Sequence, residues 1–135
     1  MEREIERFLA HVAGAKPHPC YMHSSVWEPP VNVYLTADAV VVVAELAGAD
    51  KESIDVSVEG DRLLLRGHRC EPPLPGLVSH HQVEVHFGKF ERQVRLPGPV
   101  EPGGTKAAYE QGLLRVAIPL VRPRRLTVET ESEAK

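Results

Sequence analysis

The side chains of this chain best suited to chemistry are seven histidines and two cysteines, and most of them fall in two short clusters. His18, Cys20 and His23 form the first; His80, His81 and His86 form the second. Imidazole and thiolate are ligands for zinc and its neighbours. Neither cluster has the second ligand pair that a structural zinc site needs, so both are read as solvated arm and loop, with no metal. Cys20 and Cys70 lie in no Cys-x-x-Cys. They are read as two free thiols in a reducing cytoplasm. A nucleophile-and-base set is missing from the pattern: there is no Gly-x-Ser-x-Gly, no P-loop and no Gly-rich dinucleotide turn. The glycines of "EGDRLLLRG" belong to hairpin turns. The expectation is a protein that is not an enzyme, carries no cofactor and has no cradle for nucleotide phosphates.

The elements that would position these residues are mostly strands. Val31, Val33 and Leu35 alternate, and after a turn at Ala37 and Asp38 a β-branched run follows from Val40 to Val43. Ile54, Val56 and Val58 alternate again, Gly60-Asp61 makes a tight turn, and Leu63–Leu65 returns. "CEPPLPGLVSHH" is a loop by its prolines and glycine. "QVEVHFGKFERQVRLPG" reads as two short strands around Gly88, and "TKAAYEQGLLRVAIPL" as a hairpin turned at Gln111-Gly112 that stops at Pro119. Seven or eight short strands, with no helix between them, predict an antiparallel sandwich or small barrel. At 135 residues the chain has room for one domain, and 42% apolar content with 5% aromatic makes its core aliphatic. The net charge of -3, with mixed signs, gives no footprint for nucleic acid. No stretch is long enough to span a bilayer, and the charged start is no signal peptide.

Both ends differ from the middle. Ile5, Phe8, Leu9 and Val12 share one stripe of a short helix whose other faces are charged. A helix this short needs a partner surface, and the stripe is read as an intersubunit or client-binding patch. Beyond Pro123 the composition is that of a disordered extension. Leu126 and Val128 stand out there as two apolar residues that share one face of an extended strand.

Five segments in this order resemble the small heat shock proteins, the Hsp20/α-crystallin family: "WEPPVNVYLT" (27–36), "DRLLLRGHR" (61–69), "GKFERQVRLP" (88–97), "AAYEQGLLRVAIP" (107–119) and a late "LTV". The resemblance implies an immunoglobulin-like β-sandwich, the α-crystallin domain, over 27–121, with an N-terminal arm (1–26) and a C-terminal extension (122–135). It implies dimers built by exchange of a strand on the loop at about 71–87, with Arg92, Glu84 and Phe87 at the interface. It also implies a tail motif, Leu126 and Val128, that docks on another subunit between the strand of Ile54, Val56 and Val58 and the strand of Ala107 and Tyr109. Three positions depart from the family pattern: Leu46-Ala47-Gly48 for Leu-Pro-Gly, Gln111-Gly112 for Asn-Gly, and Glu84-Val85-His86-Phe87 where Glu-Arg often precedes the aromatic. Protonating His80, His81 and His86 at about pH 6–6.5 would place charge at that dimer contact.

The implied activity is that of an ATP-independent holdase. It would bind partly unfolded client proteins, assemble from homodimers into a larger homo-oligomer in the cytoplasm, and engage neither nucleic acid nor membrane. The alternative is a co-chaperone adaptor of the CS/p23 type, which shares the sandwich but has no use for an assembly tail.

Overall fold

The computed structural model describes residues 25–122 and 126–129. The arm stripe Ile5, Phe8, Leu9 and Val12 and the cluster His18, Cys20 and His23 lie outside the described residues. Seven strands follow in chain order: β1 (Val31–Leu35), β2 (Ala39–Glu45), β3 (Asp55–Glu59), β4 (Arg62–Arg69), β5 (Gly88–Arg95), β6 (Lys106–Glu110) and β7 (Leu113–Pro119). They form two antiparallel sheets, one ordered β1-β2-β7-β6 and the other β3-β4-β5.

Period-two alternation turns one face of each sheet inward. Leu63 and Leu65 of β4, Phe90 and Val94 of β5, and Leu114, Val116 and Ile118 of β7 are buried, while most of the residues between them are not. Strand β2 lies between β1 and β7, and its unbroken valine run buries Val40 and Val42 in the shared core. Residues of both sheets meet in one aliphatic cluster, closed by Leu46, Leu96 and the ring of Trp27. This is a β-sandwich.

The turns follow their chemistry. Gln111 and Gly112 both take positive φ, 52° and 77°, the pairing that a two-residue hairpin of matching twist requires. A Cβ on Gly112 would also come within 2.9 Å of Ala47. A 3-10 turn at Lys51–Ser53 is capped by the Asp50 carboxylate, which accepts from the Glu52 amide.

Two sequence expectations are corrected. The stretch ahead of Gly88 was expected to form a strand, but residues 70–87 carry no strand. Val83 and Val85 are exposed and pair with no strand among the described residues. Cys70 was expected to be a free thiol; it is disulfide-bonded. The chain's other cysteine, Cys20, lies outside the described residues.

Candidate functional site

Sheet order leaves β3 at the edge of one sheet and β6 at the edge of the other. Their outer residues line two adjoining pockets. One, of about 380 Å³, is bounded by Val56, Val58, Pro102, Thr105 and Ala107. The second, of about 260 Å³, is bounded by Lys51, Ile54, Val56, Ala107, Ala108, Tyr109 and Leu114. Val56 and Ala107 belong to both, so the pockets run on from one another along the strands. The walls are aliphatic because Val56 and Val58 lie beside their register partners Leu65 and Leu63 on the same face of the sheet, and at the edge strand that face is only partly covered. The Tyr109 hydroxyl donates to Leu46 O at 2.6 Å and fixes β6 against the end of β2. Thr105 Oγ1 is buried with no hydrogen-bond partner among the described residues.

All five groove residues named from the sequence, Ile54, Val56, Val58, Ala107 and Tyr109, line these pockets. Leu126 and Val128 do not enter them within the chain: each is 82% exposed. The residues named for a dimer contact are not brought together. Arg92 Nη1 lies 3.7 Å from Glu28 Oε2, Glu84 accepts from Gln82 Nε2, and the Phe87 ring lies 5.5 Å from the Arg69 guanidinium.

A second constellation escaped the sequence reading. Trp27 bridges the outer edge of β5: its amide donates to Lys89 O and its carbonyl accepts from the Glu91 amide, both at 3.0 Å. Its ring stacks on His86, meets Phe90 edge-on, and carries the Arg69 guanidinium 4.4 Å from its centroid. Arg69 also donates to His86 O and, at 2.9 Å, to Ala47 O. One guanidinium thus ties the two ends of the 70–87 loop to each other and to the turn after β2, with the cation–π contact adding to the hold. Phe90 has room because Gly67 faces it across the register; a Cβ there would sit 2.3 Å from Phe90 Cζ. The legible signal was one tryptophan and one glycine inside a strand pattern.

Among the described residues no three His, Cys, Asp or Glu side chains could hold a metal ion together. No helix there is long and apolar enough to cross a membrane.

The model of the Hsp20/alpha crystallin family matches residues 33–131. This chain belongs to the Hsp20/alpha crystallin family. Its sandwich is therefore an α-crystallin domain, and the family is one of small heat shock chaperones rather than of enzymes. Among its relatives, the 17.4 kDa class I heat shock protein of Oryza sativa subsp. japonica is 35% identical over 96 residues, which are 70% of this chain and 62% of that one. The 17.6 kDa class I heat shock protein 1 of Arabidopsis thaliana is 32% identical over 115 residues, 84% of this chain and 74% of that one. The rice match thus spans less than two thirds of the length of that relative. Among solved structures, hspA from Xanthomonas axonopodis superposes with a TM-score of 0.64 at 28% identity, covering 71% of this chain and 96% of that one. A small heat-shock protein from Xylella fastidiosa, described as having a distinct high order structure, gives 0.63 at 27% identity, covering 78% and 100%.

Proposed function

We propose that this small heat shock protein is an ATP-independent holdase that keeps partly unfolded proteins soluble, working in the cytoplasm as a homo-oligomer assembled from dimers. The observation that carries the reading is the match between two pockets and two knobs. Val56 and Ala107 join a pair of apolar pockets between open strand edges, and the same chain bears Leu126 and Val128, both exposed and spaced to share one face when the segment is extended. A strand laid in the groove would place both side chains in neighbouring pockets, with backbone groups of β3 or β6 free to pair with it. Burial of one Leu and one Val offers roughly 3–6 kcal/mol gross. Ordering each tail residue costs about 1–2 kcal/mol before contacts offset it. A single contact is therefore weak and reversible, and several in a closed assembly hold through effective concentration.

The same logic supports the dimer. Strand β1 has one free edge, and Val33, Tyr34 and Leu35 on it are exposed. The 70–87 loop projects Leu74, Leu77, Val78, Val83 and Val85 into solvent from a root fixed by Arg69. An exposed apolar segment and an exposed edge in one chain satisfy each other when exchanged between two chains. Arg92, Glu84 and Phe87 flank that contact. In this division, residues 1–26 are the arm, 27–121 the domain and 122–135 the extension.

Unfolding clients expose apolar surface that aggregates. The groove, when its tail detaches, and the arm stripe of Ile5, Phe8, Leu9 and Val12 would cover such surface reversibly. No step requires a nucleotide. The test is light scattering from a heat-unfolding client enzyme in nucleotide-free buffer. Suppression at near-stoichiometric amounts is expected, and strict dependence on added ATP would overturn the reading.

A further inference from the structure

The groove between β3 and β6 and the root of the 70–87 loop meet at one turn. Leu46 O accepts from the Ala49 amide at 3.0 Å, and Gly48 between them has a φ of 76°. Residues 46–49 are therefore a type II β-turn, with glycine at the position that demands positive φ. The same Leu46 carbonyl accepts from the Tyr109 hydroxyl at 2.6 Å, and Tyr109 lines the smaller groove pocket. The next carbonyl along, Ala47 O, accepts from Arg69 Nη1 at 2.9 Å. Arg69 Nε donates to His86 O, also at 2.9 Å, and the guanidinium lies over the ring of Trp27, on which His86 stacks. Groove and loop root thus hold two successive carbonyls of one four-residue turn.

Such a turn has two discrete states. Types I and II differ by a flip of the middle peptide, which here carries the Ala47 carbonyl. In type II that carbonyl meets Arg69. A flip turns it away and frees one arm of the guanidinium. The turn is also seated on the β6–β7 hairpin: the Leu46 amide donates to Gly112 O at 2.7 Å, and a Cβ on Gly112 would come within 2.9 Å of Ala47. A shift of that hairpin reaches the turn through both Tyr109 and Gly112.

We infer that the 46–49 turn couples the groove to the 70–87 loop, with Tyr109 and Arg69 as the positioning residues on its two sides. An extended segment in the groove covers Tyr109 and excludes the water that competes for Leu46 O, which strengthens that bond. The turn is then held in type II, the Ala47 carbonyl stays on Arg69, and the loop root stays on Trp27. An empty groove loosens the same contacts. A coupling free energy is reciprocal, so a seated loop root favours an occupied groove. That the natural occupant is a neighbour's tail rests on the assembly reading; the linkage itself is tested apart from it.

The full-length chain carrying Leu126→Ala and Val128→Ala, its grooves free of its own tails, is titrated with a synthetic peptide of residues 124–130. Two signals are read: hydrogen exchange of the amides of residues 80–88, and the emission of Trp27, the sole tryptophan, which lines neither groove pocket. Peptide binding should slow the exchange and shift the emission. Tyr109→Phe keeps the ring and removes the hydroxyl. It should leave the peptide able to bind but abolish the protection, and speed exchange at 80–88 in the free chain by up to about fivefold, the worth of one hydrogen bond. Arg69→Lys keeps the charge and loses the fork; it should act likewise, and adding Tyr109→Phe to it should speed exchange no further, because both act through one turn. Bound peptide with exchange and emission unchanged, parent-like exchange in Tyr109→Phe, or additive effects of the two substitutions would each overturn the coupling. A peptide that does not bind would sink the docking reading alone, and the two substitutions then decide the coupling. Should Tyr109→Phe fold poorly, the peptide titration, which alters no residue of the path, decides it instead.

Discussion

Replacing Leu126 and Val128 together by alanine should dismantle the assembly without touching the fold. Leu→Ala removes three carbons and Val→Ala two. At about 0.8 kcal/mol per buried carbon the pair is worth roughly 4 kcal/mol on complete burial. Both side chains are 82% exposed on the free tail, so nearly all of that area remains to be removed from water on docking. A loss of about 3 kcal/mol per tail weakens each contact more than a hundredfold. Because the contacts act together, a closed assembly that depends on several of them falls apart. Neither residue touches the core cluster, so the far-ultraviolet circular dichroism and the thermal midpoint of the domain should be unchanged. The assay is light-scattering mass on a size-exclusion column beside circular dichroism. The expected result is a folded dimer in place of the larger species. A double variant that keeps the native mass would refute the reasoning, since the two pockets between β3 and β6 would then have no part in assembly.

Gly67→Ala should lower the melting temperature through a loss of about 1–3 kcal/mol, because the new Cβ would meet the ring of Phe90, itself 2% exposed and unable to retreat; an unchanged melting curve would show that the ring yields. Arg92→Ala should cost under about 1 kcal/mol in domain stability, its Glu28 partner being 73% exposed, yet broaden the mass distribution; an unchanged distribution would place Arg92 away from the dimer contact. Thr105→Val should raise the stability of the isolated subunit by about 1 kcal/mol by removing a buried hydroxyl with no partner among the described residues, and a lower melting temperature would show that the hydroxyl is satisfied.

Strands were legible where alternation or a β-branched run met a turn with clear chemistry. The hairpin at Gln111-Gly112 is the best case, because only residues that accept positive φ fit such a turn. Strand ends were less legible: β4 runs on to Arg69, well past Leu65, since its final residues are held by pairing with β5 rather than by apolar pattern. The expected strand ahead of Gly88 has the right residues but pairs with no strand among the described residues, and a β-strand exists only with a neighbour. The residues of the groove were named through family resemblance; alternation alone gives their faces but not that β3 and β6 meet. The Trp27, Arg69 and His86 cluster was illegible for the same reason. It joins segments distant in sequence, and nothing local in a lone Trp or Arg states its partner. The disulfide at Cys70 overturned a reading based on compartment and cysteine count alone.

The most direct measurement is to heat the chain with an equal amount of a thermolabile client in nucleotide-free buffer, then separate the soluble fraction by size exclusion. The account predicts a soluble complex that contains both proteins, with the client in it exchanging its amide hydrogens rapidly, as a non-native chain does, and with the same yield when ATP is added. A client that precipitates alone, or one recovered in its native state only when ATP is present, would contradict it.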